Sequence, residues 1–471
     1  MSPTGWEKYL TLLFGSSSGN RYESYSMGIA GVDDQSSLKT RIRDMVSQDA
    51  AWIKRSVFTD VDVYKLEQEL IFKRTWIYLA HESQLKKTGD FVTTYMAETP
   101  VIVARTSSGI TASVNSCSHR GMALCRVDEG NASRFMCPFH NWTYSVGGDL
   151  LSVPQAKNLG QKMDKKALSL KKIPRIESVY GFVFGSFDPD IVPLDTYLGD
   201  LRFYLDALYG RFPAGLEVMG SPIKWQLPCN WKVPVENMLG DYGHGIQLHS
   251  SVVFSNPSGV QSAKEMEEFG QVAVPIPGHS GKYRLFPEGT NPETLAYGLH
   301  SPSVRSPDAP PHWKEYLLDI QHQIAERFSP VHARIKSSGI AIYPNFSTQW
   351  LQHTIKVTLP RGPNKVEYWS WVVVPADAPA DLKEALRPGF NRSFGPGGIV
   401  EQEDSFAWGE QCIGSNIHAL DDDTPYYYGL GMGQEGPDPE LPGIIGKCYN
   451  EHYARSFFQR WQHDLLGRED R

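Results

Sequence analysis

Residues 137–142 read CPFHNW, and upstream of them residues 117–125 read CSHRGMALC. The first stretch has the spacing C-x₂-H and the second has the spacing C-x-H. Each stretch follows a short β-type run and forms a tight loop, the kind of place where side chains from two loops converge on one point. The four candidate ligands are Cys117, His119, Cys137 and His140. This pattern predicts a metal centre inside a β-rich unit.

Three interpretations compete for this pattern. Two unrelated cysteine–histidine pairs would explain either loop alone, but not both loops within one predicted β-unit. Structural zinc commonly takes closely spaced cysteines followed by closely spaced histidines, whereas here each loop supplies one sulfur and one nitrogen. A [2Fe–2S] cluster with two thiolates on one iron and two imidazoles on the other uses that division of ligands. The pattern therefore favours the cluster.

The two loops together resemble the C-x-H-R-G … C-P-x-H-x-W signature of the Rieske proteins. The resemblance implies that both cysteines and both histidines bind one [2Fe–2S] cluster. Asn141 stands where many members of that family have glycine, so the loop beside His140 is expected to differ. Cys125 lies outside the ligand pattern and is interpreted as a small packed residue.

Composition limits the kind of protein. A chain of 471 residues exceeds one ordinary hydrophobic core, so we expect two domains or one large domain with an insertion. The net charge of −7 argues against a nucleic-acid surface and suits an anionic membrane poorly. No apolar run reaches the roughly 20 residues that span a bilayer. Six scattered cysteines and the lack of a recognisable leader predict a reduced, cytoplasmic setting.

The chain divides by pattern. Residues 1–36 are polar and read as an arm, and residues 62–76 have helical spacing. Short β-type runs separated by turn residues fill residues 77–195, which we interpret as an all-β Rieske [2Fe–2S] domain. Helical and strand patterns mix in residues 196–471, where TIKVTLPRG and VEYWSWVVVPAD predict an antiparallel pair. We predict an α+β fold in which the all-β domain is inserted in a catalytic domain formed by residues 1–76 and 196–471, with an antiparallel sheet flanked by helices.

A second group of candidate ligands lies in residues 230–251, which read NWKVPVENMLGDYGHGIQLHSS. His249 lies about 140° around an ideal helix from His244, so both imidazoles reach one metal only if the helix is bulged or broken. Two histidines with one carboxylate form the facial triad of non-haem Fe(II) sites. Spacing leaves the carboxylate open among Glu401, Glu403 and Asp404, and a loop with two surface histidines is the alternative.

The pattern NWK…EN..GD..H….H, together with a distal FGPGG..EQ.D, is similar to the α subunits of bacterial aromatic-ring-hydroxylating dioxygenases. The similarity extends over about residues 45–470. It implies that His244, His249 and Asp404 bind a mononuclear Fe(II). It also implies that Asp241 links the cluster of one subunit to the iron of its neighbour.

The same resemblance implies a substrate pocket beside the iron. Asn237 matches an amide that faces the vacant side of the iron in that family, and Phe394 matches an aromatic wall that orients the substrate ring. Gly243 stands where members often have tyrosine, and Tyr242 comes one residue earlier. The candidate pocket residues are Met238, Leu248, Phe394 and Val400. The GPGG segment is interpreted as a turn, because no phosphate-binding motif follows it.

The implied function is that of a terminal oxygenase, which uses O₂ and electrons from a ferredoxin to cis-dihydroxylate an aromatic ring. The alternatives are a Rieske oxygenase that acts on an aromatic carboxylic acid or as a monooxygenase, and a Rieske electron carrier, which needs no second metal. No lysine or arginine lies between residues 233 and 263, whereas an acid substrate would require one. An aromatic or polycyclic aromatic hydrocarbon is therefore favoured.

The implied cofactors are one [2Fe–2S] Rieske cluster and one mononuclear Fe(II). The implied partners are a small β subunit in an α₃β₃ assembly, a ferredoxin and a ferredoxin reductase. We find no Rossmann-type G-x-G-x-x-G motif after a strand, so the electrons are expected to come from outside the chain.

Overall fold

The computed structural model describes residues 32–156, 164–254, 264, 267–268, 270–297, 308–349, 353–420 and 423–467. The predicted arm over residues 1–36 lies mostly outside these residues. The first described elements are helix α1 (Val32–Met45), strand β1 (Trp52–Ile53) and helices α2 (Ser56–Thr59) and α3 (Val61–Leu70).

Helix α3 is shorter than the sequence indicated. It begins after Asp60, whose carboxylate accepts hydrogen bonds from two backbone N–H groups of the first turn, and it ends at Leu70 rather than at residue 76. Helical spacing continues past this point, but the apolar residues that follow belong to different parts of the core. Phe72 packs in the same cluster as α3, whereas Trp76 packs in another cluster and donates its indole N–H to the backbone oxygen of Val192. The helix does not continue to residue 76, because the rings of Phe72 and Trp76 pack in different parts of the core.

The next segment is built from short antiparallel strands. They are β2 (Ile77–His81), β3 (Asp90–Met96), β4 (Thr99–Thr106), β5 (Gly109–Val114), β6 (Glu129–Asn131), β7 (Arg134–Met136), β8 (Thr143–Ser145), β9 (Leu150–Ser152), β10 (Arg175–Val179) and β11 (Phe182–Ser186). They form the sheets β5-β4-β3-β6, β7-β8-β9 and β10-β11-β2. Because β2 pairs with β11, the segment begins and ends in one sheet, as expected of an inserted all-β domain.

A larger α+β unit follows. Its helices are α4 (Leu194–Leu198), α5 (Leu201–Leu205), α6 (Lys232–Gly240), α7 (Gly243–Gln247), α8 (Ser250–Val253), α9 (Pro292–Tyr297), α10 (Pro311–Arg327), α11 (Pro330–Arg334), α12 (Ala380–Phe394), α13 (Glu401–Ser415) and α14 (His452–Leu466). Its strands are β12 (Leu216–Leu227), β13 (Gly270–Val274), β14 (Ser280–Leu285), β15 (Ile335–Ile342), β16 (Phe346–Gln349), β17 (Thr354–Pro360), β18 (Val366–Pro375), β19 (Tyr426–Tyr427), β20 (Gly436–Pro437) and β21 (Ile444–Lys447).

Nine of these strands form one antiparallel sheet in the order β12-β18-β17-β16-β15-β14-β13-β21-β20. The predicted pair β17 and β18 is confirmed, with Ile355 opposite Trp371. Both strands are buried along nearly their whole length. Successive side chains of β18 enter different clusters, since Trp371 packs on one side of the sheet and Val372 on the other. Helices therefore cover both faces of the sheet.

The buried carboxylate of Glu67 joins α3 to the two helices α6 and α14 of this unit. Glu67 of α3 binds the ammonium of Lys232 at the start of α6, and both side chains are at most 1% exposed. The indole N–H groups of Trp231 and Trp461 also donate to Glu67, each at 2.7 Å. Burial lowers the pKa of Lys232, and the adjacent Glu67 carboxylate opposes that shift. The N-terminal helices are thus held against the helix that precedes His244.

Within the described residues, no helix is both long enough and apolar enough to cross a lipid bilayer.

Loss of the Glu67 carboxylate should be strongly destabilising. Glu67→Gln leaves the Lys232 ammonium buried without a counter-ion, and breaking such a pair costs about 3–5 kcal/mol of the free energy of unfolding. Equilibrium unfolding in denaturant, followed by tryptophan fluorescence, measures this loss. Glu69→Gln is the matched control, because the pair between Glu69 and Lys73 is nearly half exposed, and it should cost less than about 1 kcal/mol. Equal losses in the two variants would contradict this role for Glu67.

Candidate metal centres

The two cysteine–histidine loops have the same backbone construction. The N–H of Cys117 donates to the oxygen of Met122, and the N–H of Cys137 donates to the oxygen of Trp142. In each loop the residue four positions after the cysteine donates its N–H back to the cysteine oxygen, and that residue has positive φ: 75° at Gly121 and 58° at Asn141. Asparagine is one of the few non-glycine residues that adopt this conformation readily. Asparagine in place of glycine at residue 141 therefore preserves the loop geometry.

The two cysteines of these loops lie in one buried cluster, and the two histidines lie side by side. Cys117 and Cys137 are buried, whereas His119 is exposed and His140 is half-buried. The Nδ1 atoms of the two histidines lie 3.2 Å apart, and the indole of Trp142 stacks on His119 with ring centroids 4.9 Å apart. Two thiols on the inner side and two imidazoles on the outer side fit a binuclear cluster with mixed ligands.

Two further features of these loops fit the assignment of a cluster with mixed ligands. The hydroxyl of Tyr144 lies 3.3 Å from Cys117 Sγ and accepts a hydrogen bond from the N–H of Ser118. Desolvation and the neighbouring charges of His119 and Arg120 lower the pKa of His140. A lowered pKa favours the neutral imidazole, which is the form that binds a metal.

His244, His249 and Asp404 meet at a second place, although the chain segments that carry them are far apart in sequence. Asp404 Oδ1 lies 3.4 Å from His244 Nε2 and 3.1 Å from His249 Nε2. Within the part of the chain that the structure describes, these residues form the one group of three potential metal ligands whose ligand atoms all lie within 4.8 Å of one another. Adjacent ligands about 2.1 Å from a metal are roughly 3 Å apart, so this arrangement can hold one ion.

The expected interruption of the helix makes this convergence possible. Helix α6 ends at Gly240, where Asp241 leaves the helical region with ψ of 88°. A second break falls at His249, with ψ of 26°, between α7 and α8. The two imidazoles therefore do not have to share one helical face.

Two buried atoms of this group support a metal site directly. His249 Nε2 and Asp404 Oδ1 are fully buried and lie 3.1 Å apart, but neither makes a hydrogen bond of suitable geometry. Buried polar atoms without partners carry a desolvation cost, and a bound cation would remove it for both. The residues present therefore fit a ferrous ion held by two imidazoles and one carboxylate.

The three acidic residues in the first turn of α13 have three different partners. Asp404 faces both histidines. Glu403 binds the other nitrogen of His249, with Oε2 2.7 Å from Nδ1, and its second oxygen accepts a hydrogen bond from Ser251. Glu401 binds Lys356 of β17. Of the three carboxylates that sequence spacing left open, the structure places only that of Asp404 beside both histidines.

Asp241 holds His244 from two sides. Its Oδ2 lies 3.2 Å from His244 Nδ1, and its Oδ1 accepts the backbone N–H of His244 at 3.1 Å. Asn237 Nδ2 lies 3.3 Å from Asp241 Oδ2 and 3.0 Å from His244 Nδ1. The Asp241 side chain remains 33% exposed. It can therefore orient His244 and still meet another molecule.

Buried charges surround this group. Burial opposes protonation of His244, but Asp241 and Asp404 outweigh it and raise the pKa of His244 to about 9. The pKa of Asp404 is lowered because its contacts with the two imidazoles overcome its burial. Burial raises the pKa of Glu236 to about 8 and that of Glu401 to about 7. Asp241 and Asp404 thus place carboxylates beside both ring nitrogens of His244.

The structure places the predicted pocket residues in three different surroundings. Phe394 is buried in the cluster formed by α10, α12 and β18, and Val400 packs against the same cluster. Met238, a residue of α6, is buried in a different cluster, and its sulfur lies 3.5 Å from Gln349 Nε2. Leu248 is half-buried between α7 and α8. Residues 255–263 and the side chain of Val253 lie outside the described residues.

Sequence reasoning missed two features of this region. A Cβ at Gly243 would lie 3.2 Å from the ring of Tyr449, so that ring occupies the space beside Gly243. The pairing of Lys356 with Glu401 was also missed, because the two residues belong to separate strand and helix segments. The available signal was that Lys356 is the one charged residue of the strand TIKVTLP.

Comparison with known proteins gives a consistent result. The family description "Rieske [2Fe-2S] domain" matches residues 75–174, and "Ring hydroxylating alpha subunit (catalytic domain)" matches residues 194–464. The chain is 35% identical to the chlorobenzene dioxygenase subunit alpha of Cupriavidus sp. (strain PS12), covering 86% of this chain and 89% of that protein. It is 33% identical to the biphenyl 2,3-dioxygenase subunit alpha of Rhodococcus jostii (strain RHA1), covering 89% and 90%.

A solved structure gives the same relationship. Naphthalene 1,2-dioxygenase from Rhodococcus sp., bound to indole, superimposes with a TM-score of 0.78 at 30% identity. The match covers 93% of this chain and 99% of that chain.

Glu403 provides a test of the second centre. Replacing a carboxylate that holds a metal-binding histidine typically lowers metal affinity by about 10–100-fold. Glu403→Leu should therefore weaken Fe(II) binding in that range, and Glu403→Gln should weaken it less, since its amide oxygen still accepts from His249. Titration of the iron-free protein with Fe(II) measures the affinity. The exposed Glu410 of the same helix supplies the control, Glu410→Gln; an unchanged affinity in Glu403→Leu would refute the role of Glu403.

Proposed function

The chain belongs to the family of ring-hydroxylating dioxygenase α subunits, and from this membership we propose that it cis-dihydroxylates an aromatic hydrocarbon. It is an oxidoreductase with a Rieske domain and a catalytic domain. The observation that carries the proposal is the meeting of His244, His249 and Asp404, with two buried ligand atoms that make no hydrogen bond of suitable geometry. A Rieske electron carrier has no use for such a group.

We assign the cofactors to residues on this basis. Cys117, His119, Cys137 and His140 would hold the [2Fe–2S] cluster, and His244, His249 and Asp404 would hold the mononuclear iron. When bound, the cluster supplies single electrons and the iron activates O₂ next to the substrate. The assignment rests on the shared loop geometry of the first set and the mutual distances of the second. We divide the chain into a Rieske domain, residues 77–195, and a catalytic domain, residues 1–76 and 196–471.

The overall reaction balances with two external electrons. An arene, O₂, two electrons and two protons give one cis-dihydrodiol, in which two C–O bonds form and one C=C bond of the ring and the O–O bond are lost. The relatives described above are α subunits of multicomponent systems, so this chain works with further components. We propose that these are a small β subunit in an α₃β₃ assembly, a ferredoxin and a ferredoxin reductase.

A neutral aromatic hydrocarbon is the substrate class that the charges favour. The relatives carry the names chlorobenzene, biphenyl and naphthalene dioxygenase. Lys356 lies beside the predicted pocket wall, but its ammonium is already paired with Glu401. An aromatic carboxylate would have to compete with that buried carboxylate for the same ammonium.

Asp241 is placed to connect two subunits. On one side it holds His244, and on the other it is partly exposed. The imidazoles of His119 and His140 reach the outer side of their own domain. In a head-to-tail trimer, which the family resemblance implies, Asp241 of one subunit would meet one of these imidazoles from its neighbour and shorten the electron path.

The substrate screen tests the proposed function. The reconstituted system, with ferredoxin, reductase and NADH, should convert naphthalene and biphenyl to cis-dihydrodiols and leave benzoate and salicylate unchanged. His244→Ala should lose the mononuclear iron and all product while keeping the Rieske spectrum. His322→Ala, which changes an exposed histidine of α10, should behave like the unmodified protein. Product formation by iron-free His244→Ala would refute the ligand assignment, and oxidation of the acids alone would refute the substrate class.

Asp241→Asn should separate electron transfer from cofactor binding. The amide oxygen can still accept from His244, so both metal sites should stay occupied, but the amide nitrogen cannot accept from a neighbouring imidazole. Reoxidation of the reduced cluster in a single turnover with substrate and O₂ should slow by about 100-fold. Stopped-flow absorbance measures this rate, with the exposed Asp62→Asn as control. Normal reoxidation in Asp241→Asn would exclude the bridge.

A further inference from the structure

Lys356 is a lysine in the interior of the protein. It lies in β17, and neither its side chain nor that of its partner Glu401 is exposed to solvent. A buried ammonium is retained only where the protein supplies a counter-ion and further favourable contacts. Glu401 supplies the counter-ion through Oε2, while its second oxygen, Oε1, is buried without a hydrogen-bond partner. Lys356 is therefore the contact that fixes the direction of the Glu401 carboxylate.

The same ammonium lies against two aromatic faces. Lys356 Nζ is 4.1 Å from the ring centroid of Phe394 and 5.6 Å from that of Tyr368. A cation over an aromatic face is attracted by the ring, and the attraction is stronger when water is excluded. Phe394, at the end of α12, is thus held on one face by a charge that Glu401 holds in place.

The connection between α12 and α13 reinforces this contact. After Phe394 the chain makes the predicted GPGG turn, and the N–H groups of Ile399 and Val400 donate back to the oxygens of Arg392 and Ser393. Helix α13 then begins at Glu401, one turn before Asp404. Residues three positions apart share a helical face. One ammonium therefore connects the predicted pocket wall to the helix that carries the iron carboxylate.

We propose that Lys356 is a specificity-determining positioning residue: its ammonium, anchored by Glu401, fixes the ring of Phe394 relative to Asp404 and so sets which carbon atoms of an aromatic substrate are hydroxylated. The inference rests on the proposed function and extends it from the reaction to its regiochemistry. Lys356 acts through Phe394 and need not touch the substrate.

The test replaces the pair rather than breaking it. Lys356→Met alone leaves Glu401 buried without a partner, whereas the double variant Lys356→Met/Glu401→Leu exchanges the pair for apolar side chains, a change that proteins often tolerate. Lys356→Arg keeps the charge. The matched control is Arg460→Met/Asp464→Leu, which removes another buried ion pair whose cation also lies over aromatic rings, in a different part of the core from Phe394.

The first measurement is the ratio of isomeric cis-dihydrodiols that the reconstituted enzyme forms from biphenyl. The double variant should bind both cofactors and change this ratio by about threefold or more, the effect expected from loss of a desolvated cation–π contact. Lys356→Arg and the control pair should keep the wild-type ratio. A wild-type ratio in the iron-loaded double variant, or an equal change in the control pair, would overturn the proposal.

The second measurement needs neither substrate nor iron. With 4-fluorophenylalanine at residue 394, the ¹⁹F spectrum should show one sharp signal in the otherwise unmodified protein and with Lys356→Arg. In the double variant the signal should move and broaden as the ring gains freedom. An unchanged spectrum would overturn the proposal even if no arene proved to be a substrate. If the ¹⁹F signal changes as expected but the wild-type enzyme oxidises no arene, the result counts against the proposed function alone.

Discussion

The carboxylate of Glu67 is the contact on which the catalytic unit depends. It sits among Lys232, Trp231 and Trp461, and so joins a helix from the start of the chain to α6 and to the last helix. These elements enclose the side of the sheet on which His244 and His249 are presented. A carboxylate in this position is costly to bury unless every charge and donor around it is matched.

The two candidate metal centres are organised by different means. The first is local: two similar loops each place one cysteine inward and one histidine outward, and each closes through a residue with positive φ. The second is long-range: a helix broken at Asp241 and His249 meets α13 across the interior of the unit. Around it, Asp241 and Glu403 each hold the outer nitrogen of one imidazole. This outer carboxylate on each histidine is what keeps both Nε2 atoms directed at one point.

This difference explains how much could be predicted from the sequence. The four cysteine and histidine candidates share two short motifs, so their spacing alone indicated a cluster, and the glycines around His244 indicated a broken helix. The carboxylate could not be chosen by spacing, because the choice depends on how α13 rotates against α7 and α8. The resemblance to a known family pointed to Asp404, which the structure places beside both histidines. Lys356 was not predicted to lie near the pocket, because it is far in sequence from His244 and His249. The end of α3 was misjudged because Trp76 packs in another cluster.

The long-range nature of the second centre has a consequence for how the protein matures. The candidate ligands lie before and after strands β13 to β18 in sequence, so the three side chains can meet only after those strands have paired. Contacts of such large sequence separation form late, because the loop between them must first lose its conformational freedom. An ion that binds only the folded protein adds its binding free energy to the stability of the native state. Iron available during synthesis would therefore act as a folding ligand, and chains made under iron starvation would spend longer in the open, protease-accessible form.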